Sequence, residues 1–179
     1  MLERLNFHPT WRNWIKGCLS SASANVLVNG SPSGEFYLEK GLRQGDPLPP
    51  FLFLIVAEGL QSLTDRAVTR KLIHPVEIGR EKVKISHLQY ADDTIFILDK
   101  KEENAEAVRH LLKLFQFMSG LKVNFGKSCL VGIGVDDATT ERWAAKLQCE
   151  VGSVPFKFLG IKVGGKLKSV VDSFILYYT

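Results

Sequence analysis

Two adjacent carboxylates inside an apolar stretch constrain this chain more than any other feature. The stretch runs His87-Leu88-Gln89-Tyr90-Ala91-Asp92-Asp93-Thr94-Ile95-Phe96-Ile97-Leu98. The aliphatic, aromatic and β-branched residues on either side of the pair read as two short strands. The polar pair between them reads as the tip of a hairpin. Such flanks belong in a core, so Asp92 and Asp93 are carried on the tip of a buried element instead of being scattered over a surface. Side-by-side carboxylates repel unless a cation lies between them, and hard oxygen ligands of this kind suit Mg²⁺. The same residues suit a plain turn equally well, because Asp tolerates turn geometry.

The rest of the chain supports a real core. Its 179 residues suffice for one domain or a large part of one, and 45% of them are hydrophobic. A net charge of +4 and a pI of about 9.0 lean toward a polyanionic partner. Cys18, Cys129 and Cys149 are far apart with no CxxC spacing, and His8, His74, His87 and His110 are equally dispersed, so neither a disulfide framework nor a zinc cluster is indicated. Glu3 and Arg4 follow Met1 where a signal peptide would be apolar, and the longest apolar run, Phe51 to Ala57, is too short for a bilayer.

Periodicity and turn chemistry predict an alternation of strands and helices, hence an α/β or α+β domain. Two short helices are expected over 1–20, broken at His8-Pro9 and capped by Thr10, with Trp11, Trp14, Ile15 and Cys18 on one apolar face. Asn25–Val28 and Glu35–Glu39 read as a hairpin with a long loop. The Gly- and Pro-rich run Gly41-Leu42-Arg43-Gln44-Gly45-Asp46-Pro47 reads as an irregular loop whose backbone can approach a ligand. A helix follows from about 50 to 70, apolar all round in its first turns, with Thr64, Asp65, Arg66 and Arg70 toward solvent. Further on come a small hairpin about Gly79 and a helix capped by Asp99 and Glu102, with Val108, Leu111, Leu112, Phe115 and Met118 inward and Gly120 as its stop. A strand from Cys129 to Ile133 precedes a helix capped by Asp136, and a strand pair spans Phe156–Val163. From Lys166 onward the residues show no pattern.

Four motifs stand in a fixed order: RQGDPL at 43–48, YADD at 90–93, GLKVNFGKS at 120–128 and FLGI at 158–161. In this order and with these gaps the chain resembles the reverse transcriptases of non-LTR (LINE-type) retrotransposons. The wider text WRNWIKGCLSSASANVLVNGSP and GLRQGDPLPPFLFLIVAEGL resembles plant members in particular. The resemblance covers residues 1–165 and leaves 166–179 unassigned.

The resemblance implies an α+β fold: a partial right-hand polymerase palm with part of the fingers, and a central antiparallel hairpin carrying YADD packed on helices. It implies RNA-directed DNA polymerase activity by two-metal nucleotidyl transfer, with Mg²⁺ as the ion and an RNA template, a DNA primer and deoxynucleoside triphosphates as partners. Asp92 and Asp93 correspond to the catalytic and metal-binding pair. Tyr90 would lie beneath the primer terminus, with Ala91 keeping the space beside it open. Arg43, Gln44 and Gly45 correspond to the loop beside the incoming nucleotide. Lys127 could protonate pyrophosphate or steady the triphosphate, and Leu159 and Gly160 correspond to the primer-grip hairpin. An intracellular ribonucleoprotein, nuclear or cytoplasmic, is the implied setting, with no membrane.

One part of the family pattern is missing. The palm needs a third carboxylate from an earlier strand, lying beside the Asp92 hairpin at the centre of the sheet. The first aspartate of this chain is Asp46, in the RQGDP loop. The expectation is therefore a sheet with an unpaired inner edge and an incomplete metal site. Two non-enzymatic readings stay open beside a truncated polymerase: a nucleic-acid-binding remnant that uses the basic surface, and a structural relic.

Overall fold

The strands flanking Asp92-Asp93 sit in a five-stranded sheet whose middle member comes from the far end of the chain. A computed structural model describes residues 2–39, 45–164 and 173–178. In chain order the elements are α1 (Pro9–Ser20), β1 (Ser23–Ala24), β2 (Leu27–Val28), β3 (Ser31–Pro32), β4 (Phe36–Tyr37), α2 (Leu48–Thr69), β5 (Val76–Ile78), β6 (Val83–Ile85), β7 (His87–Tyr90), β8 (Asp93–Asp99), α3 (Glu102–Ser119), β9 (Cys129–Ile133), α4 (Asp137–Leu147), β10 (Glu150–Val151), β11 (Phe156–Phe158), β12 (Ile161–Val163) and β13 (Ser173–Tyr178). The chain divides into two units, Met1–Gly59 and Leu60–Thr179.

In the first unit a single helix replaces the expected two. Pro9 opens α1, where a missing N–H costs nothing, and His8 caps it by accepting from the Thr10 amide through Nδ1 at 3.3 Å. Thr10 is therefore inside the helix and not its cap. Of the expected apolar face only Ile15 is buried, while Trp14 is 66% exposed. Trp11 stacks on Phe7 with centroids 4.6 Å apart. The expected long-loop hairpin is a nested pair, β2 with β3 inside β1 with β4, closed at Asn29-Gly30. Both of those residues have positive φ, as a tight two-residue turn requires.

Helix α2 begins near the expected place. The Asp46 carboxylate accepts from the Leu48 amide at 2.9 Å, and Pro49 and Pro50 fall in the first turn. Its start is apolar all round but not buried, since Phe51 is 66% and Leu54 64% exposed. Thr64 is buried, against the expectation, and satisfies its hydroxyl by donating to the Leu60 carbonyl at 2.9 Å.

The second unit holds the main sheet, in the order β10-β9-β13-β8-β7. Strand β13 is antiparallel to both neighbours, with Phe174 paired to Leu98 and Gly132, and Leu176 to Phe96 and Leu130. The expected unpaired inner edge does not exist. The residues in which the sequence shows no pattern supply a strand that pairs on both sides. The aspartate hairpin is accordingly at one side of the sheet, with β7 at the edge and β13 in the middle.

Both sheet faces are covered. On one, Phe96, Leu98, Leu130, Phe174 and Leu176 are fully buried, and the Trp143 ring of α4 tilts against Phe174 with centroids 5.4 Å apart. On the other, Ile95, Val131 and Ile175 pack with Phe156 of the β11–β12 hairpin. Gly132 has no side chain because Thr140 of α4 stands too close: a Cβ there would lie 2.4 Å from the Thr140 hydroxyl.

The start of α3 is fixed by Asn104 and not by the expected Asp99–Glu102 box. The buried Asn104 amide accepts from the His74 amide at 2.7 Å and donates to the Asp99 carbonyl at 2.8 Å. Glu102 instead pairs with Lys146 and Arg142 of α4. Asp136 caps α4 as expected, accepting from the Thr139 amide at 2.9 Å. Val108, Leu111, Leu112 and Phe115 are buried on α3, but Met118 is exposed.

Two consequences are measurable. Phe174→Ala should lower unfolding free energy by about 3–5 kcal/mol, because a large buried ring would leave a cavity on the central strand. Asn104→Ala should cost about 1–3 kcal/mol by leaving the part-buried His74 amide without its acceptor, while the Asp99 and His74 carbonyls keep the Lys101 and Asp99 amides as partners. Chemical denaturation of each variant against the parent chain checks both.

Candidate functional site

Strands β7 and β8 join through two residues, Ala91 and Asp92, with Tyr90 paired to Asp93 across the last rung. Ala91 adopts φ +51°, a left-handed conformation that costs a non-glycine residue about 1 kcal/mol or more. The turn thus places Asp92 at the exposed tip and Asp93 on the first, half-buried residue of β8. Tyr90 stands open beside them at 66% exposure. The Gln89 side-chain amide donates to the Ala91 carbonyl at 3.2 Å and braces the turn.

Sheet register locates the other candidates of this unit. Ile95 and Cys129 both pair with Tyr177, and β8 and β9 run in the same direction. Asp93 precedes Ile95 by two residues, and Lys127 precedes Cys129 by two. Both therefore lie toward one end of the sheet, Asp93 on the first residue of β8 and Lys127 just ahead of β9. Lys127 is exposed at the end of a short 3-10 turn, Phe125–Lys127. Leu159 and Gly160 form the two-residue turn of the β11–β12 hairpin, both with positive φ. The Phe156 ring of that hairpin stacks on Tyr177, centroids 5.0 Å apart.

Arg43 and Gln44 lie outside the described residues. Gly45 is exposed with φ +85°, consistent with a turn that only glycine enters freely. Among the described residues no three His, Cys, Asp or Glu side chains come together as a metal-binding group.

Sequence reasoning assigned no role to four side chains of this unit, Thr94, Tyr177, Cys129 and Cys149. Thr94 follows Asp93, is buried, and its hydroxyl has no hydrogen-bond partner. Burial pushes Tyr177 up to about 12, helped by the hydrogen bond that its hydroxyl donates to the Cys129 sulfur. Burial also pushes Cys149 up to about 12 and raises Cys129. Only the pairing of β13 brings Tyr177 to Cys129, and the sequence carries no signal for that pairing.

Comparison with known proteins places this arrangement. Residues 1–163 match the family model described as reverse transcriptase (RNA-dependent DNA polymerase). An Arabidopsis thaliana protein named uncharacterized mitochondrial protein AtMg01250 is 31% identical over 109 residues, 53% of this chain and 89% of that one. A retrovirus-related Pol polyprotein from the type-1 retrotransposable element R2 of Popillia japonica is 29% identical over 137 residues, which is 74% of this chain but 18% of the polyprotein. A second such polyprotein from the same insect is 32% identical over 92 residues and is covered for 14% of its length.

Thr94→Val should leave stability unchanged or raise it by about 1 kcal/mol, since it removes a buried hydroxyl without a partner at constant volume. The alkaline limb follows from Tyr177 and Cys149. Unfolded, these ionise near 10.0 and 9.0, and in the fold both are held neutral to about 12. Between those values the folded chain holds more protons than the unfolded one, so stability falls as pH rises. Thermal unfolding under reducing conditions should show a midpoint that declines from about pH 9 upward, with the decline above about pH 10 reduced in Tyr177→Phe.

Proposed function

The chain belongs to the reverse transcriptase (RNA-dependent DNA polymerase) family, and from that premise we propose that it is a palm-and-fingers piece of a retrotransposon polymerase with little or no polymerase activity by itself. One observation carries the reading. Two adjacent carboxylates are fixed at the tip of a sheet hairpin, while the strand beside β8, Ser173–Tyr178, has no aspartate or glutamate.

Two carboxylates do suit Mg²⁺, which is commonly held by one or two carboxylates together with substrate phosphates and water. Bound ions at such a pair would lower the pKa of a primer hydroxyl and neutralise the triphosphate. In this reading Asp92 is the main ligand and Asp93 the supporting one. Their hold is weak without a third carboxylate, because phosphate has to complete the donor set. In this reading Lys127, toward the same end of the sheet, meets phosphate as a compact cation. Tyr90 offers an open ring beside the primer terminus. Arg43, Gln44 and Gly45 serve the incoming nucleotide, and the Leu159-Gly160 turn positions the primer through its backbone. The palm and fingers piece corresponds to residues 1–165.

A second reading, a nucleic-acid-binding remnant without catalysis, is favoured by the net charge of +4 together with the carboxylate-free strand. In both readings RNA is bound through phosphate contacts, so affinity should fall steeply with salt.

Primer extension on an RNA template with Mg²⁺ should give no product above background. Mg²⁺-dependent synthesis abolished by Asp92→Ala would overturn the proposal. RNA binding followed by fluorescence anisotropy separates the two readings. Affinity that is indifferent to Mg²⁺ and to Asp92→Ala supports the remnant, and affinity that needs both supports the residual metal site.

A further inference from the structure

Within the second unit two stripes of the same period face one open groove of about 430 Å³. One stripe is Leu63, Arg66 and Ala67 of α2, continued by Arg70 just past its end. The other is His110, Leu111 and Leu114 of α3. Steps of three and four residues put each set on a single face of its helix. The leucines and alanines make an aliphatic floor, and the exposed Arg66, Arg70 and His110 side chains border it. Glu106 of α3 pairs with Lys146 of α4, and Asp65 of α2 accepts from the Gln61 side chain. Among the described residues no carboxylate pairs with Arg66 or Arg70. We propose that this groove is the docking site for an amphipathic helix of a partner protein, with aliphatic anchors along one face and carboxylates flanking them.

Charge and shape together select that occupant. An aliphatic floor between two helical stripes accepts the i, i+3, i+4, i+7 anchors of a third helix. The arginines on the border, without acid partners, favour carboxylates on the incoming segment and disfavour a basic one. The apolar surface also runs past the groove. Phe117 and Met118 follow Leu114 on the same flank of α3, at 89% and 60% exposure, so the track is longer than a small ligand would use. An RNA strand matches the floor poorly, because bases stack on aromatic faces and this floor is aliphatic. A second copy is disfavoured by symmetry, since a two-fold contact would set the same arginines against each other.

The test uses the full chain and two fluorescein-labelled helical peptides. Both carry leucines at i, i+3, i+4 and i+7. One has glutamates flanking the leucines, and the other has lysine in place of each glutamate. Fluorescence anisotropy should show the acidic peptide bound about ten-fold more tightly than the basic one, and its binding should slow amide exchange over 107–114. The double variant Arg66→Glu/Arg70→Glu should reverse that preference. Leu114→Ser should weaken the acidic peptide about five-fold by removing an anchor contact. Leu114 is 47% exposed and both arginines are exposed, so these substitutions leave the core intact, which circular dichroism checks. No saturable binding of the acidic peptide, equal binding of a scrambled peptide of the same composition, or indifference to the arginine reversal overturns the proposal. Binding of a short single-stranded RNA that Leu114→Ser abolishes would overturn it in favour of nucleic acid. Self-association of the parent chain that Leu114→Ser abolishes would overturn it in favour of a second copy. None of these readouts involves polymerase activity, so the outcome is independent of the functional reading above.

Discussion

The second unit depends on one strand insertion. Without Ser173–Tyr178, the facing edges of β8 and β9 would present unpaired backbone groups, and Phe96, Leu98 and Leu130 would lose the neighbours that bury them. Hydrophobic burial and backbone pairing act at the same place and support each other there. The helices α3 and α4, tied together by the Lys146–Glu106 and Arg142–Glu102 pairs, lie beside a sheet that exists as a layer only because its middle is filled. The exposed ion pairs add little by comparison.

The aspartate tip inherits its rigidity from that insertion. Asp93 is the first residue of β8, whose remaining residues pair with β13 along their whole length. The two-residue turn closes on the Tyr90–Asp93 rung, with Ala91 held at positive φ as the cost of that sharpness. A strand held on both sides can carry two repelling carboxylates at its end without unravelling. The identity of the filling strand also decides what else stands at that end of the sheet, and the residues 173–178 bring hydroxyls and apolar groups, not carboxylates.

Much of this was legible in the sequence because local chemistry decided it. The hairpin about Asp92-Asp93, the Gly79 hairpin, the Asp136 cap and the Gly120 stop rest on turn and cap residues acting over four or five positions. Family membership was legible from the order of four motifs. What was not legible needed partners far away in the chain. Ser-Phe-Ile-Leu-Tyr-Tyr has strand-forming residues, but nothing local says that it pairs between β8 and β9, and the aromatic content near the end of the chain carried no periodic signal. Asn104 displaced the Asp99–Glu102 capping box for a similar reason, since its partner at His74 is thirty positions upstream. The exposure of Phe51 and Leu54 shows the converse: apolar pattern alone does not say what covers it.

Native-state hydrogen exchange at residues 174–177 tests the central claim most directly. If β13 is the middle strand, those amides exchange as slowly as the amides of Ile95–Leu98, with the free energy of global unfolding. Exchange at the rate of an unstructured chain at 174–177, with β8 still protected, would contradict the insertion and with it the account of how the aspartate tip is held.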